Sequence, residues 1–263
     1  FAADSVRLYM LDSPLLRAED LRFDDKGVQD ITRAVILPLW NAFSFLTTYA
    51  AADDWKPNLE QSRGTLPSSD NELDRWIVSR LQTLISEVHT HMGEYKLYLV
   101  VSQLVDFIES LTNWYIRLSR RRFWGATGKN QTSELSREQQ QAYSTLYYVL
   151  VDFVKIMAPF TPFVADAIHR HLTEDTGSVS VHLTDLPTPN EKLRDHSLEA
   201  KMKLLSSVTN LGRSLRQKHK IKTRQALPSL LVITSDPSQQ QAIQTGAEIL
   251  KQELNIKEVE FSA

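Results

Sequence analysis

The sequence predicts a mainly α-helical protein, in which a bundle of long helices is followed by a small α+β domain. Between residues 28 and 172, apolar residues recur at intervals of three and four, the period of an α-helix with one buried face. After residue 227 the period changes, and two short apolar stretches enclose one further helical segment. The 263 residues are 42% hydrophobic and 24% charged, a composition typical of globular proteins with a substantial core.

These patterns divide the chain into three parts. Residues 1–27 contain a short helix, Ala2–Leu11, and a charged stretch without a clear period. Residues 28–196 contain the bundle, and residues 197–263 contain the small α+β domain. Because the chain begins in the middle of a helical pattern, we expect it to be a piece of a longer protein. Its last strand is barely complete, which makes the last domain a candidate for truncation.

The bundle begins with a helical pattern from Val28 to Leu46 that Pro38 interrupts, because proline lacks an amide hydrogen and clashes with the preceding turn. We therefore expect a kink at about Leu37. Residues 51–70 are rich in proline and polar groups, which predicts a connector. Ser69-x-x-Glu72 has the spacing of a capping box at the start of the second helix.

The longest apolar period runs from Leu97 to Trp124 and predicts a helix of about six turns. It should lie antiparallel to the second helix, across a turn near Gly93. Gly125 suits the left-handed position that terminates a helix. A further helix ends at Ala158-Pro159, and Thr161-Pro162 then predicts an N-cap with proline at the first helical position.

Polar and charged residues occupy one face of the longest helix near its C-terminal end. At about 100° per residue they lie opposite the apolar stripe. With the adjacent Arg121, they are Asn113, Arg117, Arg120, Arg121 and Trp124. The arginines here, together with Arg122, can complement the negative end of the helix dipole while the indole packs on a neighbour. Alternatively, arginines that pair with phosphate and an indole that stacks on an unpaired base form a nucleic-acid surface.

The C-terminal part begins with a helix from about Ser197. A strand at Leu230–Thr234, a helix at Pro237–Leu254 and a strand around Val259 follow. The stripe predicted to be buried in the first helix consists of Leu198, Met202, Leu205, Val208, Leu211 and Leu215. The end of that helix and the following turn form a basic segment without acidic residues. Its cations are Arg213, Arg216, Lys218, Lys220, Lys222 and Arg224. In a chain of net charge −2, this segment is either a solvated helix end or a contact for several phosphates.

The sequence carries no motif of an active site. It contains no cysteine, which excludes disulfides and thiolate metal sites and fits a cytosolic protein. His89/His91 and His169/His171 are two residues apart, which on a helix points their rings away from each other, so we expect no metal site. Glycine-rich phosphate loops and nucleophile elbows are absent, and no apolar run reaches the roughly 20 residues of a membrane span. We therefore expect no catalysis by this chain alone.

Several motifs together resemble class I aminoacyl-tRNA synthetases of the isoleucyl, valyl and leucyl subgroup. Asp4–Tyr9 (DSVRLY) is similar to the segment with which these enzymes leave their catalytic core, and ILPLWNAFSFL is similar to a helix that follows it. LDRWIVSRL, LTNWYIRLSRRRFW and MAPFTPFVAD resemble parts of the anticodon-binding bundle. SVHLTDLP and especially IKTRQAL resemble the isoleucyl enzymes, although Ala226 stands where that family usually has proline. The resemblance covers almost all of residues 2–227.

The resemblance implies an anticodon-binding helical bundle, a junction-like domain after it, and an isoleucine-accepting tRNA as partner. It implies a cytoplasmic, monomeric parent enzyme that ligates isoleucine to its tRNA with ATP and magnesium. The nucleotide-binding and editing elements lie outside this chain, so we expect no cofactor in it, and no DNA or membrane partner. The polar face of the longest helix is expected to contact the anticodon loop, and the basic segment the phosphates of the stem or its flank.

Two alternatives stay open on the sequence alone. The chain can be the corresponding part of a valyl- or leucyl-tRNA synthetase, which differ from the isoleucyl enzymes at IKTRQAL. It can also be a non-catalytic helical scaffold that binds protein, in which the cations only keep the surface solvated. Salt-dependent binding of tRNA distinguishes the scaffold from both synthetases.

Overall fold

The computed structural model describes residues 2–58, 68–124, 135–174 and 180–262. It divides into two compact units, Phe1–Arg194 and Asp195–Ala263. The described part is mainly helical and has a small parallel sheet in the second unit, so the predicted fold class is confirmed. Both the predicted segment 1–27 and most of the predicted bundle fall within the first unit.

The first unit is built from α-helices joined by short 3-10 and π-helical segments. Its described α-helices are α1 (Ala2–Asp12), α2 (Asp25–Ile31), α3 (Leu37–Ala52), α4 (Glu72–Gly93), α5 (Leu97–Glu109), α6 (Arg117–Phe123), α7 (Arg137–Met157) and α8 (Pro162–Leu172). The π-helical segments are Thr32–Ile36 and Ser110–Ile116. The 3-10 helices are Pro14–Arg17, Val181–Leu183 and Glu191–Leu193.

The interruption predicted at Pro38 takes the form of a π-helical segment directly before α3. At its end the amide of Leu37 donates to the carbonyl of Thr32, five residues earlier. The wider turn accommodates a proline ring that an α-helical turn excludes. The chain thus stays helical past Pro38, because the turn before the proline is π-helical and the part after it is α-helical.

The start of α4 differs from the prediction. Its N-cap is Asn71, whose side chain accepts a hydrogen bond from a backbone amide in the first turn, so the predicted capping box of Ser69 and Glu72 is wrong. Ser69 instead donates to the buried carboxylate of Asp74, with an oxygen–oxygen distance of 2.6 Å. Ser69 therefore binds the buried Asp74 carboxylate and does not cap the helix as the sequence pattern predicts.

The core of the first unit lies among α3, α4, α5 and α7. Leu39, Leu81 and Leu104, one from each of the first three helices, are completely buried. Phe107 of α5 and Phe153 of α7 pack with their ring centroids 4.8 Å apart. Residues 25–52 are long and apolar enough to cross a membrane by length and composition. The part of that stretch that forms α3 nevertheless contributes buried residues to this core.

Helix α8 is capped by a residue from the other end of the unit. Thr161 occupies the predicted N-cap position and Pro162 begins the helix, as predicted, although the side chain of Thr161 makes no capping hydrogen bond. The carboxylate of Asp4 in α1 accepts instead from the amides of Phe163 and Val164, at 3.2 and 2.7 Å. An acid at a helix N-terminus also complements the helix dipole. This long-range cap attaches α1 to the bundle.

The second unit combines one long helix with a βαβ motif. Its elements are α9 (His196–Lys218), β1 (Leu227–Ile233), α10 (Pro237–Thr245), α11 (Ala247–Leu254) and β2 (Ile256–Ser262). The strands pair in parallel, with Leu230 opposite Val259. Parallel strands need a crossover connection, which α10 and α11 supply.

Only the first part of the predicted stripe of α9 is buried, namely Leu198, Met202 and Leu205. Leu211 and Leu215 are 66% and 55% exposed, so their assignment to the core is wrong. The helix buries Gly212 and Arg216 instead. A Cβ atom on Gly212 would lie 2.6 Å from a terminal methyl of Leu254, so any larger residue here would require the Leu254 side chain to shift. In its second half, α9 therefore packs against α11 through the face that carries Gly212, and the face that carries Leu211 and Leu215 is exposed.

Candidate nucleic-acid interface

The end of the long helical stretch presents a polar surface, which we name the α6 face. It consists of Asn113, Arg117, Arg120, Arg121 and Trp124, all of which are exposed. Trp124, the residue after α6, has 52% of its surface exposed. Gly125, the predicted helix terminator, lies outside the described residues. The structure therefore places the predicted amide, guanidinium and indole groups on one exposed stretch of chain.

A π-helical segment adjusts the rotation of α6 relative to α5. Ser110–Ile116 has more residues per turn than an α-helix, so the buried positions beyond it move along the sequence. Ser119 and Phe123 are buried, whereas Leu118, between them and the π-helical segment, is only partly buried. Such segments are often found at functional sites.

Arg122 differs from the exposed Arg120 and Arg121 because it forms a buried ion pair. Its guanidinium donates two hydrogen bonds to the carboxylate of Asp74 in α4, both of 2.7 Å. Tyr115 donates to the same carboxylate at 2.8 Å, and Ser69 supplies a further bond. A third helix joins because Arg122 also donates to the carbonyl of Glu138 in α7. Arg122 therefore fastens α6 to two other helices and does not extend the α6 face.

The pKa shifts in this cluster follow from burial and from the charge of Asp74. Burial, reinforced by that charge, raises the pKa of Tyr115 well above its ordinary value, so the phenol stays a donor. Burial alone lowers the pKa of Arg122, but the hydrogen bonds and charge of Asp74 outweigh it and raise that pKa. Over the ordinary pH range the Tyr115 phenol is therefore neutral and the Arg122 guanidinium is charged.

A cavity of about 440 Å³, which we name the bundle groove, lies beside the α6 face. Both π-helical segments contribute to its walls. The lining includes Arg33, Pro38, Asn41, Phe45, Glu109, Asn113, Ile116 and Arg120. Amide, guanidinium, carboxylate and apolar groups thus line one cavity. Within the described ranges, no group of three or more histidine or acidic side chains could hold a metal ion.

The groove includes residues that the sequence analysis missed. Arg33, Asn41 and Phe45 come from the π-helical segment and α3, far earlier in the chain than the α6 face. Phe45 also packs edge-on against Phe123, with ring centroids 5.0 Å apart, directly before Trp124. The proline inside an otherwise helical pattern was the one available signal for this wall of the groove.

The basic segment of the second unit separates into exposed and engaged cations. Lys218, Lys220, Lys222 and Arg224 are exposed. Arg213 is half-buried and forms an ion pair with Glu253. Arg216 is 5% exposed and donates to the carbonyls of Lys222, Gln225, Leu254 and Asn255. The prediction that Arg216 contacts tRNA is therefore wrong, because its guanidinium is buried beneath the segment.

Comparisons with known proteins agree with the resemblance seen in the sequence. The family model of the anticodon-binding domain of tRNA ligase matches residues 74–231. Isoleucine–tRNA ligase of Protochlamydia amoebophila is 40% identical over 263 residues, which cover 100% of this chain and 24% of the relative. The Chlamydia trachomatis serovar D and Treponema denticola isoleucine–tRNA ligases are 42% and 36% identical, each over 99% of this chain and 24% of the relative.

The chain therefore spans about a quarter of the length of the curated relatives that it matches. These relatives carry the name of the isoleucyl enzymes, so the predicted resemblance to that branch is confirmed. The family model covers more than half of the chain and includes α4, the α6 face and the basic segment. The chain belongs to the family of anticodon-binding domains of tRNA ligases.

Proposed function

We propose that this chain recognises the anticodon stem and loop of an isoleucine-accepting tRNA, as one part of an isoleucine–tRNA ligase. Its family and the names of its relatives support the partner and the parent enzyme. The observation that carries the proposal is the bundle groove, which joins Asn113 and Arg120 of the helix end to Asn41 of α3. An exposed indole lies at the end of the same helix.

The groove has the size and chemistry to hold unpaired bases. A volume of about 440 Å³ lies within the common range of small-ligand pockets, roughly 300–1,000 Å³. The side-chain amides of Asn41 and Asn113 can each donate and accept, as the hydrogen-bonding edge of a base requires. Glu109 can accept from an exocyclic amino group, and Arg120 can donate to a base carbonyl. These groups can select among bases by their hydrogen-bonding pattern.

Stacking and charge act beside that selection. Trp124 offers an exposed π-surface, and Phe45 supplies an aromatic wall to the groove, so that splayed bases can stack on either. Arg117 and Arg121 are exposed on the α6 face and can pair with phosphates of the loop. The contribution of the indole to binding should therefore depend little on salt concentration, whereas the contribution of the arginines should depend on it because it acts through charge.

The exposed cations of the second unit would contact phosphates and set the position of the RNA. Phosphates are the same in every RNA sequence, so contacts to them carry no information about the anticodon. The cations concerned are Lys218, Lys220, Lys222 and Arg224. They should strengthen binding to any tRNA and make it depend on salt concentration.

The parent protein would join isoleucine to tRNA with ATP and magnesium at a site outside this chain. The names of the relatives support the ligation of isoleucine to tRNA, and the chain carries no phosphate-binding loop motif. We place the parent enzyme in the cytoplasm as a monomer. The chain alone should give no isoleucine-dependent pyrophosphate exchange.

Replacement of Trp124 tests the proposed stacking of an anticodon base on the α6 face. Trp124→Ala should weaken binding to an isoleucine-accepting tRNA by roughly 1–3 kcal/mol, the usual contribution of a base stacked on an aromatic residue. The loss should be concentrated on the tRNA with the native anticodon, with little change in salt dependence. Affinity is measured by titration of the chain with that tRNA and with an anticodon-swapped version at several salt concentrations.

Phe163→Ala is the matched control, because Phe163 is an exposed aromatic residue (65%) on α8, outside both the α6 face and the bundle groove. It should leave affinity for both tRNAs unchanged. An equal loss on both tRNAs in Trp124→Ala, or no loss, would show that the indole only packs at the helix end. Binding of neither tRNA by the wild-type chain would favour the helical scaffold instead.

A further inference from the structure

The turn after α9 is built around a buried arginine. Arg216 donates to the carbonyls of Lys222 and Gln225 in the turn, at 3.1 and 2.9 Å. It also donates to the carbonyls of Leu254 and Asn255 at the end of α11. Among the described residues no carboxylate pairs with Arg216, so a permanent positive charge lies buried beneath this turn.

Asn255 completes the same arrangement from the other side. Its side-chain amide donates to the carbonyls of Thr223 and Arg224, at 3.3 and 2.9 Å. Together with the bonds of Arg216, four consecutive carbonyls from residue 222 to residue 225 are turned inward. In a trans peptide the N–H points opposite to the carbonyl, so the amides of Thr223 and Arg224 point away from the groups that hold the carbonyls of Lys222 and Thr223. The amide of Gln225 instead closes the turn by donating to the carbonyl of Lys222.

We name residues 220–226 the basic loop. Lys220, Lys222 and Arg224 are exposed on it, whereas the guanidinium of Arg216 is buried. Lys220 has φ 55° and Asn255 has φ 49°, in the left-handed region of the backbone that glycine and, less often, asparagine adopt. Outward amides, exposed cations and a buried positive charge together favour an anion on the outer side of the loop.

We propose that the basic loop is a preorganised site for the phosphodiester backbone of RNA, in which Arg216 and Asn255 are positioning residues. They hold the loop by its carbonyls and do not touch the RNA, whereas Lys220, Lys222 and Arg224 contact its phosphates. This inference rests on the proposed function, because it takes tRNA as the ligand. It adds that the geometry of the loop, as well as its charge, determines the number of phosphate contacts.

Variants that leave the charge of the chain unchanged can test the effect of the geometry of the basic loop apart from the effect of its charge. Asn255→Gly removes the two side-chain bonds to the loop, and glycine accepts the left-handed backbone at this position. Arg216→Lys keeps the positive charge, but one ammonium group with three donors cannot reproduce a planar fork that spans four carbonyls. Circular dichroism of both variants verifies that the helical content is unchanged.

The readout is the slope of log affinity against log salt for an isoleucine-accepting tRNA. Each of Lys220→Gln, Lys222→Gln and Arg224→Gln should flatten it by about 0.7–0.9, the value for one lost phosphate contact. Asn255→Gly and Arg216→Lys should also flatten it, although they remove no charge. In a chain that already carries the three glutamines, Asn255→Gly should have no further effect. Lys203→Gln, an exposed cation on α9 outside the loop, is the control and should leave the slope unchanged.

An unchanged slope in either charge-preserving variant would overturn the positioning role of the residue concerned. An effect of Asn255→Gly that persists in the triple-glutamine chain would overturn the coupling to the loop cations. If the wild type still distinguishes native from swapped anticodons, these results leave the proposed function standing. If the wild-type chain binds no tRNA, both the proposed function and this inference fail.

Discussion

Asp74 is a charged residue with only 1% of its surface exposed, held by hydrogen bonds from Arg122, Tyr115 and Ser69. A buried ion pair of this kind adds little net stability over apolar residues, but it requires one arrangement of its partners. Here that arrangement sets the rotation of α6 and leaves Arg120 exposed while Arg122 is inside. The pair thus determines which of three successive arginines can meet a ligand.

Arg122→Met should lower the free energy of unfolding by about 3–5 kcal/mol, because it leaves the carboxylate of Asp74 buried without its partner. Adding Asp74→Leu to this variant should recover most of the loss. Urea denaturation measures both changes. Asp70→Asn is the control, because the ion pair of Asp70 with Arg137 is exposed on both sides and should contribute less than about 1 kcal/mol. A double variant no more stable than Arg122→Met would contradict this account.

His169 makes the stability of the first unit depend on pH. Burial, followed by the charge of Lys155, lowers the pKa of His169 below its ordinary 6.5. The unfolded chain therefore binds more protons below pH 6.5, so the contribution of His169 is complete above that pH and is lost as pH falls through the folded pKa. His169→Gln should reduce the fall in unfolding free energy between about pH 7.5 and pH 5.5, and the exposed His196→Gln should not. Equal pH dependence in all three chains would contradict this.

Helix α4 ends in a motif that ordinarily uses glycine. The amide of Tyr95 donates to the carbonyl of Met92 and that of Lys96 to the carbonyl of His91, the two bonds of a Schellman motif. Gly93 is predicted to form this turn, but the left-handed residue is Tyr95, with φ 57°. The tyrosine side chain is 90% exposed, so packing does not offset the strain of its backbone.

Tyr95→Gly should therefore raise the free energy of unfolding by about 1 kcal/mol, since glycine adopts this conformation without steric cost. Glu94→Gly is the control, because Glu94 has φ −92° and glycine gains nothing there. Thermal and urea denaturation of the two variants would measure the difference. If Tyr95→Gly were no more stable than Glu94→Gly, the left-handed backbone would not be the source of strain.

Local periodicity predicts the helices because an α-helix repeats its burial every few residues, and residues such as Leu104 are buried as predicted. It cannot predict bonds between distant residues. The partners of Asp4 and Asp74 lie 160 and 48 positions away, and no pattern near either residue encodes them. The same limit hid the engagement of Arg216 beneath the basic loop.

The candidate site was predictable in one half only. The α6 face could be predicted because its residues lie close together in the sequence, within about three turns of one helical stretch. The opposite wall of the bundle groove, with Asn41 and Phe45, comes from a different helix and depends on tertiary packing. The two π-helical segments that meet at this groove also break the period from which a helix is predicted.

At the scale of the whole chain, the net charge of −2 provides no general attraction for RNA. Binding must depend on local arrangements, and each unit has one: the α6 face with the bundle groove in the first, and the basic loop in the second. Under the proposed function, base contacts in the first unit would provide specificity and phosphate contacts in the second unit would provide affinity.

The central claim, that this chain reads an anticodon, is tested most directly with the wild-type chain. Titration with an isoleucine-accepting tRNA and with the same tRNA carrying a swapped anticodon, each at several salt concentrations, measures both affinity and salt slope. The native anticodon should bind more tightly, by roughly 1–3 kcal/mol for each stacked base that is lost. The salt slopes should be equal, because the phosphates are the same in both tRNAs. Equal affinities at every salt concentration would contradict the claim.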